Sequence, residues 1–211
     1  MAEPGREARG STASTIRKAA IELFYQQGFH ATSQRQLADA VGLQVASLYN
    51  HIKSKEQLLA EIMSEVMQQL ISATAAAVEA APTPQARLRA FMREGIRFHA
   101  QHRLEAFVGN TELRALSPKN RRAVVELRNK YQAMLESILA ECVAEGSIKV
   151  PDIKLAAYAG VAICVHVSSW YREGGRLSLN EVVDALLASY TPTATLEDRN
   201  DQGREKTKDK K

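Results

Sequence analysis

TSQRQLADAVGLQVASLYNHIKSK, residues 32–55, decides how this chain is organised. The stretch holds no nucleophile paired with a base, no paired carboxylates and no cluster of metal ligands, so its content is shape. Ser33 followed three residues later by Gln36 is a capping box, which predicts a helix start. Leu37, Ala38 and Val41 give that helix one apolar side, and Gly42 stands where a left-handed residue ends it. A second helix is expected over residues 44–52, with Val45, Leu48 and Ile52 turned inward. Ala38 is small where two helices must cross, and Leu43 tucks the turn inward. Two short helices around a glycine turn make a helix-turn-helix, whose second helix enters the major groove of DNA.

The outward residues of the second helix agree with that reading. Gln44, Ser47, Asn50 and His51 form hydrogen bonds, and Tyr49 carries a phenol of phosphate-reaching length. Lys53 and Lys55 follow, and Ser54 with Gln57 forms a second capping box whose first amides suit a phosphate oxygen. The expected DNA-contacting set is Thr32, Ser33, Arg35, Gln44, Val45, Ser47, Tyr49, His51, Lys53 and Lys55. Gln44, Val45 and Ser47 are expected near bases; Thr32, Tyr49, His51, Lys53 and Lys55 near phosphates. The plainer alternative, a small helical hairpin with a solvated face, explains the spacing but not the whole set together.

Residues 14–59 resemble the N-terminal DNA-binding domain of TetR-family transcriptional repressors. The resemblance is carried by Ile16, Ala19, Ala20, Leu23, Phe24, Gly28 and Phe29, then Thr32, Ser33, Leu37 and Ala38. It continues through residues 40–43, Ser47, Leu48, Tyr49, His51, residues 53–56, Leu58 and Leu59. Asn50, His51 and Ile52 depart from the aromatic pair that often closes the reading helix, and Ala46 leaves base preference unreadable. The resemblance implies a dimer on a palindromic operator.

The rest of the chain frames this motif. Its 211 residues are 45% hydrophobic and 25% charged, ordinary for a globular protein with a sizeable core. No run approaches the 18 or so apolar residues of a membrane span, and no signal peptide opens the chain, so a cytoplasmic location is expected. Two cysteines, Cys142 and Cys164, fit a reducing compartment. A net charge of +4 is compatible with nucleic acid without demanding it. The expected fold is all-α, about nine helices. Residues 1–12 read as a disordered arm and 13–58 as a three-helix DNA-binding domain with its motif at about 33–52. Residues 59–190 read as a helical ligand-binding and dimerisation domain, and 191–211 as a charged disordered tail.

Beyond the motif, a helix from Ser54 to about residue 80 connects the two regions and stops ahead of Pro82 and Pro84. In the helix over residues 85–101, Arg89, Arg93 and Arg97 recur every fourth residue. That pattern is a solvated stripe, or a grip on a ligand carboxylate or phosphate. His99 and His102 are expected at the surface, since no further ligands complete a metal set. Arg121 and Arg122 sit in the first turn of the helix after Pro118, where cations are disfavoured unless an anion is near. Trp170, Tyr171 and Arg172 read as a loop anchor or as ligand contacts. The candidate ligand set is therefore Arg93, Arg97, Phe107, Arg121, Arg122, Tyr131, Trp170, Tyr171 and Arg172.

The helix opening at Asp152, eighth in order, reads LAAYAGVAICVHV and is apolar nearly all round, so it needs cover on several sides. Ala156, Ala159, Gly160 and Ala162 permit close approach of another helix. With the ninth helix after the Ser178–Glu181 capping box, it predicts a homodimer through a four-helix bundle. The closing stretch, with Leu116, Ser117 and Pro118, is similar to TetR-like regulators that answer to acyl-CoA thioesters. That likeness implies a small hydrophobic or acyl-CoA effector; a drug-efflux repressor and a helical protein scaffold are the alternatives. No enzyme activity and no cofactor are expected.

Overall fold

Caps and breakers set where each helix starts. The computed structural model describes residues 4–190, with side chains from residue 12 onward, and is all-α over that range. Helix α1 (Pro4–Gln27) begins well before the expected boundary, so residues 4–12 are helical rather than an arm. Proline is well placed at a first helical position, and Arg6, Glu7, Ala8 and Arg9 are good helix formers. The expected tail, 191–211, lies outside the described residues. Ile16, Ala20 and Phe24 form the buried side of α1.

Helix α2 (Gln34–Ala40) opens on the predicted capping box, with the Ser33 N–H donating to Gln36 Oε1 at 2.8 Å. Gly42 adopts φ +67, which closes the turn, and the Leu43 N–H returns to the Ala38 carbonyl at 2.9 Å. Helix α3 (Val45–Leu48) is a single turn, shorter than the expected 44–52. Tyr49, Asn50 and His51 are weak helix formers, and the next cap, Ser54, follows within a few residues. Turn-type bonds from Asn50 and His51 continue the coil to Ile52.

Helix α4 (Lys55–Glu79) spans both regions and is capped by Ser54, whose hydroxyl accepts from the Gln57 N–H at 3.0 Å. The second capping box is only half made, because the Gln57 amide turns to Glu61 and Asn120 instead. Helices α5 (Pro84–Gln101) and α6 (Arg103–Thr111) follow, then a 3-10 turn over Leu113–Ala115. Helices α7 (Pro118–Ala144), α8 (Ile153–Trp170) and α9 (Leu179–Tyr190) complete the order.

Two hydrophobic cores result. One joins α1 to α3 with the first half of α4, and also takes in Val108, Leu116 and Val124. The other is built from α4, α5, α7, α8 and α9 around Phe91, Met92, Leu135 and Leu139. Within it, a Cβ at Gly160 would stand 2.6 Å from Tyr190 Oη and 2.8 Å from Leu135 Cδ2, so glycine leaves room there for the Tyr190 side chain. The Tyr190 hydroxyl then donates to the Ala156 carbonyl at 2.8 Å. By length and composition α8 is apolar enough to cross a membrane, at mean hydropathy 1.3 over 18 residues, contrary to expectation. It packs instead against α5 and α7. Its other side is uncovered: Leu155 is 66% and Tyr158 53% exposed.

Candidate nucleic-acid interface and ligand cavity

The α2-turn-α3 unit presents a polar outer surface because its apolar residues are used up inside. Leu37, Ala38 and Leu48 are fully buried, and Val45 is half-buried against the same core. Gln44, Tyr49, Asn50 and Lys53 are exposed, and Ser47 and His51 are half-exposed. Gln44 heads α3 with its side chain uncommitted to capping. The Tyr49 hydroxyl donates to Gln34 Oε1, which holds the phenol toward α2; Gln34 is a neighbour that spacing alone does not single out. Arg35 is exposed and 3.8 Å from Asp39, a pair of little energetic weight.

Three expected contacts are otherwise engaged. Thr32 is buried, with its hydroxyl donating to the Gly28 carbonyl at 2.9 Å, so it closes the turn after α1 instead of facing a phosphate. The Lys55 ammonium points inward, donating to the Phe29 carbonyl at 2.7 Å and to the Thr32 carbonyl. It also lies 4.2 Å from the Phe29 ring centre, and burial lowers its pKa. Lys55 thus stitches α4 to the loop before α2. The Ser33 hydroxyl is used by the capping box.

Behind this surface, Glu56 accepts from the Ser117 N–H at 2.8 Å and from Asn120 Nδ2 at 3.0 Å. Burial alone would raise its pKa, but these hydrogen bonds hold it below the ordinary range. The start of α7 is therefore clamped to the start of α4. On the far side, Arg103 Nη1 donates to Tyr25 Oη at 3.1 Å, and the Phe107 ring meets Tyr25 edge-on at 5.0 Å. Both contacts fasten α6 to α1.

A cavity of about 280 Å³ opens between α4, α5, α6, α7 and α8. Met63, Val66, Met67 and Val161 supply apolar wall, and His99, Glu105, Arg128 and Gln132 supply polar points. Apolar enclosure with a few polar groups is the usual character of a small-molecule site. His99 is buried, not at the surface as expected, because Gly95 offers its ring a carbonyl at 2.7 Å. A carbonyl only accepts, so Nδ1 carries the proton. Burial lowers the His99 pKa to about 4, partly offset by that bond. Burial also lowers the Arg128 pKa.

Of the expected ligand residues, the structure brings only Tyr131 to this cavity. Its ring stacks on Phe91 at 4.7 Å, and burial raises its pKa well above the ordinary value, partly offset by Thr74 beside the hydroxyl. Arg93 pairs with Asp184 at 3.1 Å and Arg97 bonds Asn180 at 2.7 Å, so both join α5 to α9. Phe107 is taken up by Tyr25. Arg121 and Arg122 are exposed on the first turn of α7, away from the cavity lining. Trp170, Tyr171 and Arg172 line a separate, more open cleft of about 390 Å³ with Arg176 and Val182. The Arg172 guanidinium there donates to the Tyr171 carbonyl at 2.8 Å. The missed residue with a readable signal is Arg128, a charge on the same side of α7 as Val124, Tyr131 and Leu135.

Comparison with known proteins gives a consistent picture. Residues 16–62 match the family model for bacterial regulatory proteins of the tetR family, and residues 81–191 match the tetracyclin repressor-like C-terminal domain. The HTH-type transcriptional repressor KstR2 of Mycolicibacterium smegmatis is 31% identical over 172 residues, covering 80% of this chain and 83% of that protein. A tetR-family regulatory protein from Rhodococcus RHA1 superposes with a TM-score of 0.82 at 27% identity, over 87% of this chain and 98% of that one. AibR, solved in complex with isovaleryl coenzyme A and operator DNA, superposes with a TM-score of 0.79 at 26% identity. That match covers 86% of this chain and 99% of AibR.

Proposed function

The chain belongs to the tetR family of bacterial regulatory proteins, and we propose that it is a cytoplasmic repressor released from a palindromic operator by an acyl-CoA-type effector. The observation that carries the reading is the one-turn α3, with Leu48 locked beneath it and Gln44, Tyr49, Asn50 and Lys53 left outside. Gln44, Val45 and Ser47 are assigned to bases, and Tyr49, His51 and Lys53 to phosphates. Residues 13–58 form the reading unit, and 59–190 sense the effector and dimerise.

The dimer is assigned to α8 and α9, because Leu155 and Tyr158 expose an apolar side that a second copy of the chain covers symmetrically. Two reading units then sit one helical turn of DNA apart. The effector's acyl part is assigned to the 280 Å³ cavity, whose methionine and valine walls suit a hydrocarbon. AibR, of the same fold, was captured with isovaleryl coenzyme A and operator DNA, which supports this effector class. Release follows only if the effector prefers the non-operator arrangement of the dimer, since equal affinity for both shifts nothing.

Size-exclusion chromatography and fluorescence anisotropy on duplexes selected from a random library test this reading. A dimer whose affinity for one inverted repeat falls steeply with salt is expected. A monomer, or a protein that selects no duplex, ends it. Tyr49→Ala is expected to weaken binding to all duplexes alike, by about 1–3 kcal/mol.

A further inference from the structure

Among the residues lining the cavity, Arg128 is the one permanent cation, and a single carbonyl holds it. Nη2 donates to the Gly109 carbonyl on α6 at 2.7 Å. No carboxylate among the described residues lies within ion-pair distance; Glu105 lines the same cavity but does not reach it. A guanidinium has five N–H donors, and with one bond made to a neutral carbonyl Arg128 keeps donors for an acceptor that enters the cavity. Much of the wall is methionine, valine and leucine, so a ligand that fills the space meets mainly hydrocarbon, a few neutral polar groups and Glu105, and one cationic donor, Arg128.

Gly109 is also where α6 is tied to α7. Earlier in the same helix, Arg103 and Phe107 fasten it to Tyr25 of α1, and Val108 is buried in the core of the reading unit. A group that takes Arg128 Nη2 therefore loosens α6 where that helix is braced against the reading unit. We propose that Arg128 selects ligands by an acyl oxygen, carbonyl or carboxylate, and that occupancy is transmitted when the guanidinium leaves Gly109 for that oxygen. This rests on the repressor reading above and adds to it the recognised group and the bond that is exchanged.

The test uses the full-length dimer and a duplex that the wild type has already selected, so failure of operator binding and failure of this proposal are separate results. The probes are straight-chain acids from butanoic to decanoic, their CoA thioesters, and the matching alkanols. Thermal shift reads binding and anisotropy reads release. Acids, thioesters or both are expected to bind at least about tenfold more tightly than alkanols of equal length, because the alkanol hydroxyl is a weaker acceptor that also brings a donor Arg128 cannot satisfy. Thioesters alone would assign the oxygen to a carbonyl, and acids alone to a carboxylate. Arg128→Met and Arg128→Gln are expected to bring acyl compounds down to the alkanol level. The same variants are expected to lower effector-free operator affinity by about tenfold, because the tie to Gly109 is lost. Gly109→Ala keeps both Arg128 and the carbonyl, and its methyl meets nothing within 4 Å, so it is expected to retain the preference for acyl compounds. Preference retained in a folded Arg128 variant, preference lost in Gly109→Ala, or binding by none of the probes overturns the assignment of an acyl oxygen to Arg128. Unchanged effector-free affinity in the Arg128 variants overturns the exchange at Gly109.

Discussion

The two cores of this molecule are packed to different ends. Around α1 to α3, Ile16, Ala20, Phe24, Leu37, Ala38 and Leu48 are almost wholly enclosed, and the remaining polar groups are tied off. Thr32 answers Gly28, Ser33 answers Gln36, and Lys55 answers two carbonyls. Around the cavity the pattern reverses: Arg128 is held by one carbonyl, and the buried Tyr131 hydroxyl has only its Thr74 neighbour, without a hydrogen bond of good geometry. A completed unit is stiff and reads a fixed shape. An incomplete one keeps polar groups waiting for something from outside.

The difference is most exposed to test at Phe24 and Val165. Phe24→Ala empties a fully packed site and is expected to cost about 3–5 kcal/mol, whereas Val165→Ala on the cavity wall costs less than about 1.5 kcal/mol. Equal losses in thermal or urea unfolding would erase the contrast. His99 gives the next effect. Its pKa is depressed to about 4 in the folded chain, against about 6.5 when unfolded, so the unfolded state binds the proton first. Its neutral burial is thus cost-free at pH 7, and stability is lost as pH falls from about 6.5 toward 4, by up to about 3 kcal/mol. His99→Phe should flatten that part of the stability curve; an unchanged slope would show that the cavity admits the charged ring.

Lys55→Met leaves the Phe29 and Thr32 carbonyls without their ammonium and is expected to cost about 1–3 kcal/mol of stability. A loss that appears only in operator affinity, and only at low salt, would return Lys55 to the DNA surface. Arg35→Ala stands last: its exposed pair with Asp39 should leave stability within about 0.5 kcal/mol, with any change confined to operator binding.

These regions were also unequally legible from sequence. Caps, the glycine turn and apolar spacing act within a few residues, so Ser33, Gly42 and Leu48 announce their roles locally. The orientation of Lys55 does not, since its partners lie 23 and 26 residues upstream. In the second region, Arg93 and Arg97 look like ligand contacts only until α9 brings Asp184 and Asn180 to them from more than 80 residues away. His99 reads as surface because a histidine at a helix end usually is; the packing of α4 and α8 on α5 encloses it instead. A cavity is a property of several helices at once, and no window along one of them contains it.

The stitch at Lys55 has a mechanical outcome. It fixes the first turn of α4 to the loop that leads into α2, at the tip of a rod 25 residues long, about 37 Å from end to end. Each degree through which that rod swings about its far end carries the tip through an arc of about 0.6 Å. Hydrogen bonds to base edges hold over only a few tenths of an ångström, so a swing of two or three degrees is enough to unseat the protein from its operator.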